Sequence, residues 1–343
     1  MNFYTLTSKS NIKTKKWLNL LFIFIFIFSA LIFSVNFIVD PYNITKYNLL
    51  KIKYKFARDD RTEKTNFFTS LHKFDNILIG SSRVYSMNPK TVSKILGGTT
   101  YNFGVGTATT EDHLGILLYL KKENKLPKNL IIGVDFYTFN PDIPPNKYFL
   151  ANKHLNFLSY SNYQEDYLSK FFSIDAFRAS IKTFKNHLKN ENEKPRFDNN
   201  GWAGSYEDYS SRDSDLDLVK AKKELTENVS MFYSNLRYKH IGHKKVQYYT
   251  QIKKICVDNN INLYIFTTPL HPKLLNILQN NENTRQALQE FLQYLSSFKN
   301  FYNTYNDKDI YNNLRSFHGA THTTTYAGDI ILKKILIKTD LNL

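Results

Sequence analysis

DNILIGSSRVYSMNP, Asp75 to Pro89, is the stretch whose reading decides the fold. Its apolar run is of strand length and empties into Gly80, two serines and Arg83. A strand that ends in a small-residue turn presents a side chain at the edge of a sheet. A serine hydroxyl in that place has two uses, as a nucleophile or as a cap for the helix that follows.

Working outward, four more segments resemble this strand: TTYNFGVG, NLIIGVDFYTF, INLYIFTTPLHP and the weaker FYNTYND. Each is short and rich in β-branched or aromatic residues. Helical patterns separate them. TTEDHLGILLYLKKENK has a threonine at its start, acids in its first turn and lysines in its last, as a capped helix requires. GHKKVQYYTQIKKICVDNN sets Val246, Tyr249, Ile252 and Cys256 on one face, and NTRQALQEFLQYLSSFKN is also amphipathic. This alternation predicts an α/β domain with a mostly parallel sheet, whose functional groups gather at the carboxyl ends of the strands. Residues from about 141 to 240 interrupt the alternation and read as an insertion or cap. Its polar loop carries Trp202, Tyr206 and Tyr209, placed either to stack on sugar rings or to tie the loop down.

The N-terminal quarter has a different character. Residues 17–39 contain no charged side chain, and a helix of about 23 residues at about 1.5 Å each crosses a hydrocarbon core of about 30 Å. Lys9, Lys13, Lys15 and Lys16 precede it, so the positive-inside rule predicts a cytoplasmic N-terminus (1–16), a single membrane span (17–39), a polar neck (40–70) and an exported domain (71–343). A cleaved signal peptide is the rival reading, but its apolar region is shorter and ends in a small-x-small site, whereas this one ends VNFIVDPY. The expected location is the inner cell membrane with the domain on the periplasmic side. The formal charge of +16 then points to anionic headgroups or acidic envelope glycans rather than to nucleic acid. The one cysteine, Cys256, excludes an intrachain disulfide.

At the predicted strand ends stand Ser81 and Ser82, Gly104 and Gly106, Asp135, and His271; near the C-terminus, SFHGATHTTTYAGDIILKKIL puts His318 and His322 before a last helix. A hydroxyl, a distant histidine and glycine N–H groups are the parts of an acyl-transfer site. His318 and His322 also have a zinc-helix spacing, but their Gly/Thr-rich run is not helical in pattern and lacks the glutamate of the zinc-peptidase motif. GVGTAT lacks the remainder of a nucleotide-binding motif. No metal or other cofactor is expected.

These blocks resemble those of the SGNH/GDSL hydrolase superfamily. LIGSSRV is similar to the first block, with Ser82 at the nucleophile position and Ser81 where the aspartate stands. YNFGVG is similar to the second, with Gly106 as oxyanion donor beside Ser82, and IIGVDF to the third. GATHTTTYAGDIIL is similar to the last, with His322 as the base. The resemblance implies an SGNH-like (flavodoxin-like) three-layer fold. With an N-terminal anchor it looks most like the membrane-tethered envelope proteins of alginate O-acetylation and of D-alanyl transfer to teichoic acid. It thus implies an O-acyl (acetyl) transferase or esterase acting on an envelope polysaccharide, beside a multispanning membrane acyltransferase. Three positions depart from the pattern, one of them in the second block, where a one-residue shift in the turn would put Thr107 in place of Gly106. The acid three residues before the histidine falls on Gly319, and the third-block asparagine is Asp135, an acceptor rather than a donor when ionised. Arg83, Asp135 and His271 are expected to line the site. The alternative is a degenerate domain that binds glycan or serves as an assembly partner.

Overall fold

The computed structural model of the chain describes residues 4–41, 49–52, 60–70, 73–146, 149, 152, 154–156, 171–189, 197–203, 235–313, 316–318 and 321–337. It opens with helices α1 (Tyr4–Val39) and α2 (Asp60–Ser70), followed by β1 (Asn76–Ile79), α3 (Pro89–Leu96), β2 (Thr100–Asn102), α4 (Thr110–Lys122) and β3 (Asn129–Val134). Next come α5 (Ile174–Leu188), α6 (His243–Asp258), β4 (Asn262–Thr267), α7 (Pro272–Asn280), α8 (Glu282–Leu295) and β5 (Asn300–Tyr302). The chain ends in α9 (Lys308–Tyr311), the short strands β6 (Phe317–His318) and β7 (His322–Thr323), and α10 (Thr325–Ile337).

Two compact units share these elements: Met1–Glu63 with Gln164–Lys194, and Lys64–Tyr163 with Pro195–Leu343. The stretch expected as one insertion, 141–240, is therefore divided between them. In the first unit α1 is long and apolar enough over Thr14–Val39 to cross a membrane, about 39 Å at 1.5 Å per residue. Its helix starts ahead of the apolar run, at Tyr4.

The second unit is built on a parallel sheet in the order β2-β1-β3-β4-β5. Alternate residues of each strand point to opposite faces. Ile77, Ile79, Leu130, Ile132 and Ile265 pack with Leu114 and Leu117 of α4, Tyr249 and Ile252 of α6 and Phe291 of α8. Leu78, Ile131, Tyr264 and Phe266 pack with Val92 of α3 and Ile331, Leu332 and Ile335 of α10. Helices thus cover both faces, which is why the strands read as continuous apolar runs.

Register is pinned at the amino ends of the strands. Asn76, Asn129 and Asn262 begin β1, β3 and β4 and lie side by side. Asn262 Nδ2 donates to Asn129 Oδ1 at 2.9 Å, and Asn129 Nδ2 to Asn76 Oδ1 at 2.7 Å. Asn76 passes the chain on to Gly97 O and Thr100 Oγ1. An amide ladder of this kind forms in one register only, so it also aligns the opposite, carboxyl ends. From β1 the chain moves outward to β2 and returns to β3 on the other side. That reversal is the switch point of the sheet, at the carboxyl ends of β1 and β3, where open α/β sheets bind their ligands.

One helix lies within the segment expected as a neck. Its polar sequence, DRTEKTNFFTS, carries no apolar stripe, yet Lys64, Thr65 and Phe68 are buried. Lys64 Nζ donates to Asn102 O at 2.7 Å and Gly201 O at 3.1 Å, and lies 4.0 Å from the Phe197 ring centroid.

Candidate active site

Beyond β1 the chain turns through a single 3-10 turn, Ser82–Val84. Ser81 is its cap: its Oγ accepts from Arg83 N at 3.2 Å and its carbonyl from Val84 N at 3.1 Å. The capping use of serine is thereby assigned to Ser81, and Ser82 is released from it. Ser82 is half-buried, and its Oγ lies 2.9 Å from His322 Nε2, across 240 residues of sequence.

Val84 holds this turn down. Its side chain is fully buried in a cradle where glycines from three adjacent strand ends leave room for it. A Cβ on Gly80 or Gly133 would fall 2.7 or 2.5 Å from Val84 Cγ1, and one on Gly104 2.5 Å from Val84 Cγ2. Gly80, with φ +156°, also needs the conformation that glycine alone adopts readily. Asn102, at the end of β2 and wholly buried, fastens the same turn. Its Nδ2 donates to Val84 O at 2.7 Å and Met87 O at 3.1 Å, while its Oδ1 accepts from Gly104 N at 2.9 Å. Each net hydrogen bond contributes about 1 kcal/mol, and a stranded buried partner costs about 1–3 kcal/mol.

His322 arrives on the β6–β7 hairpin, where it pairs across from His318. The four-residue spacing of these histidines thus belongs to a hairpin and not to a helix. α10, which follows, is seated against the first turn's surroundings: Gly328 lies where a Cβ would meet Met87 Cγ at 3.3 Å, and Asp329 Oδ1 accepts from Thr91 Oγ1 of α3 at 2.7 Å. On its other nitrogen, His322 Nδ1 is 3.2 Å from Thr321 Oγ1. With the Ser82 hydroxyl donating to Nε2, the proton on Nδ1 faces the Thr321 oxygen. Gly319, which holds the position of the expected acid, lies outside the described residues.

Asp135 directly follows β3 and is completely buried, while Arg83 is 7% exposed; their Oδ1 and Nη1 are 2.8 Å apart. Thr268, after β4, donates to the same Asp135 oxygen and lies 3.3 Å from Arg83 Nη1. The guanidinium also lies 5.6 Å from the Tyr137 ring centroid. Tyr137 donates to Ala108 O at 2.7 Å, and burial followed by the Asp135 charge pushes its phenol far above the usual range. Arg83 and Asp135 therefore spend their charges on each other, directly behind the Ser82 turn.

Gly104 and Gly106 separate in role. The Gly104 N–H is held by Asn102, whereas Gly106 is half-buried in the exposed turn that Thr107 completes at φ +47°. His271 caps α7, its Nδ1 accepting from Lys273 N at 3.2 Å. Burial, then the Lys273 charge, holds its pKa below the ordinary 6.5, in keeping with a neutral ring that accepts. Its edge meets Phe317 of β6 at 5.4 Å, so it borders the hairpin that carries His322. Trp202 is buried and its loop is closed by Asp198, which ties it to β2 through Asn200 O and Asn102 N at 2.8 Å. Tyr206 and Tyr209 lie outside the described residues.

Sequence reasoning missed Asn102, Thr268 and Thr321. Asn102 and Thr268 interrupt or end apolar strands, a signal that a polar side chain is being used inside. Thr321 sits in a Thr-rich run that offers no such contrast. Among the described residues no cluster of three or more His, Cys, Asp or Glu is arranged to hold a metal ion. Comparison with known protein families and with curated proteins finds no match for this chain.

Proposed function

We propose that the protein is a membrane-anchored serine acyltransferase or esterase of SGNH type, acting on O-acyl groups of an envelope polysaccharide. The observation that carries the reading is the 2.9 Å contact between Ser82 Oγ and His322 Nε2, formed at the carboxyl end of β1 beside the sheet's reversal point. Nucleophile and base at hydrogen-bond distance are the minimum for acyl transfer. His322 Nε2 takes the Ser82 proton as Oγ attacks the acyl carbonyl. The ester bond to the donor then breaks, and the departing alcohol oxygen takes that proton from His322. The resulting acyl-Ser82 ester is attacked by a sugar hydroxyl or by water, whose proton passes to His322 and on to the released Ser82 oxygen. The N–H groups of Ser82 and Gly106 are assigned to the oxyanion, the turn's next two N–H groups being spent on Ser81.

Arg83, Asp135 and His271 support the site from behind and from its rim. The apolar length of α1 supports anchoring, and Lys9, Lys13, Lys15 and Lys16 before it support, by the positive-inside rule, a cytoplasmic N-terminus and an exported sheet domain. A multispanning acyltransferase is the partner suited to deliver acyl groups to that side. The net charge of +16 suits an acidic glycan.

The test is covalent labelling of the full chain in detergent or nanodiscs by a fluorophosphonate. Labelling is expected for the wild type and is expected to disappear in both Ser82→Ala and His322→Ala. A folded wild type that takes no label, alone or with its membrane partner, overturns the catalytic reading in favour of a glycan-binding or assembly domain.

A further inference from the structure

Helix α5 carries its side chains in the reverse of the arrangement that water favours. It turns Ala176, Ala179, Ser180 and Thr183 inward. Outward it sets Ile174, Ile181, Phe184 and Leu188, with 57, 39, 39 and 66% of their surfaces exposed. At 3.6 residues per turn these four fall within one arc of about 80°. A helix packed on a protein in water buries its large apolar residues and exposes its small and polar ones. The opposite pattern belongs to helices in lipid, where small residues four apart, here Ala176 with Ser180 and Ala179 with Thr183, allow close approach.

The helix that α5 packs against is α1, within the same compact unit. Asn36 of α1 is fully buried, and its Nδ2 donates to Phe171 O at 2.8 Å and Ser173 O at 3.1 Å, just before α5. Its Oδ1 accepts from Ser180 Oγ at 2.8 Å. Phe33 and Phe37 of α1 meet Phe171 edge to face, with ring centroids 5.6 Å apart in each case. An amide left unpaired in hydrocarbon costs several kcal/mol, so α5 supplies what the apolar helix needs at this point. Asn36 stands three residues from the end of the span at Val39, about 4.5 Å along the axis. Interfacial helices lie about 5–10 Å deep. Arg178, Lys182, Lys185 and Lys189, all exposed, run along one border of the apolar arc, and Asp175 is the only acid in α5.

We propose that α5 is a second membrane element, lying in the interfacial layer of the bilayer that α1 crosses. Its Ile174–Ile181–Phe184–Leu188 face rests among acyl chains and its basic border meets anionic headgroups. This rests on the reading of α1 as an anchor, and the experiment separates the two. Single cysteines replace Ile181, Phe184, Lys182 or, in α1, Phe24, in the full chain, each carrying a nitroxide, in nanodiscs of mixed anionic and zwitterionic lipid. Native Cys256 is buried and its thiol is pushed up to about 12 by that burial, so it stays unlabelled. By electron paramagnetic resonance, the probes at Ile181→Cys and Phe184→Cys are expected to be accessible to oxygen and shielded from a polar nickel chelate, and the probe at Lys182→Cys the reverse. Nickel access at 181 and 184 with the Phe24→Cys probe shielded overturns the proposal alone. Nickel access at Phe24→Cys overturns the anchor as well. Shielding of 181 and 184 from both reagents also overturns it, by showing a protein cover in place of lipid.

Discussion

At the scale of single residues, the site separates two serines that the sequence cannot rank by type alone. Ser81 caps the turn and Ser82 meets His322. On the other side of the His322 ring, Thr321 Oγ1 stands 3.2 Å from Nδ1. In the proposed mechanism a neutral oxygen there favours the tautomer that leaves Nε2 able to accept, but it stabilises an imidazolium less than a carboxylate does. Removing that hydroxyl in Thr321→Val, with its shape kept, is expected to slow fluorophosphonate labelling about five- to tenfold. That is the rate equivalent of one hydrogen bond of about 1 kcal/mol or slightly more. Unchanged thermal stability with unchanged labelling would show that the hydroxyl does not orient the ring. The Arg83–Asp135 pair belongs to this scale too. Both groups are buried, so either one left alone would carry an uncompensated charge, and their mutual neutralisation is what allows a carboxylate to stand buried behind the Ser82 turn.

Among elements, the decisive contact is between one side chain and three strand ends. Val84 occupies the space that Gly80, Gly104 and Gly133 leave above the sheet, and so locks the 3-10 turn onto β1, β2 and β3 together. Gly133→Ala places a methyl 2.5 Å from Val84 Cγ1 and 2.8 Å from Phe266 Cζ, an overpacking that costs about 1–3 kcal/mol. The expected outcome is a lower melting temperature together with reduced labelling of Ser82 in the fraction that remains folded. Adding Val84→Ala makes room for the methyl and is expected to restore part of the stability while leaving the turn loose and labelling still low. Labelling of Gly133→Ala at the wild-type rate would mean that Val84 does not set the position of Ser82.

For the whole molecule, the ties between loops and sheet respond to acid. Asp75, at the mouth of β1, is held at about 2, below the ordinary 3.8, first by the Thr99 backbone N–H and then by Lys128. A carboxylate depressed on folding stabilises the protein above its unfolded pKa and loses that contribution as pH falls through its folded pKa. Asp307 follows the same sign: burial raises it, but Lys334, Tyr302 and the Asp309 N–H together bring it below its ordinary value. Lys334 bonds to both Asp307 and Asp309, fastening α10 to α9. In a thermal melt series, Asp75→Asn is expected to melt below the wild type above about pH 4, with the difference closing as pH falls toward about 2. A gap that stays constant over that range would remove Asp75 from the acid response.

By itself the sequence determined the alternation of five short apolar strands with amphipathic helices, the apolar N-terminal helix, and the types of residue at each strand end. These are local properties: periodicity, caps such as Thr109 with Asp112 before α4, and small residues at turns are all written within a few positions. The helix at Asp60–Ser70 escaped because its polar face pattern is stabilised by distant partners of Lys64 and not by its own neighbours. The resemblance named Ser82 and His322, but only the tertiary structure brought their side chains together, let Arg83 and Asp135 neutralise each other, and packed part of the expected insertion on α1. Each of those depends on strand order and register, set by packing on both faces of the sheet and by the Asn76–Asn129–Asn262 ladder. Contacts across such distances arise when separate elements bury their faces together, and no short stretch of sequence encodes them alone.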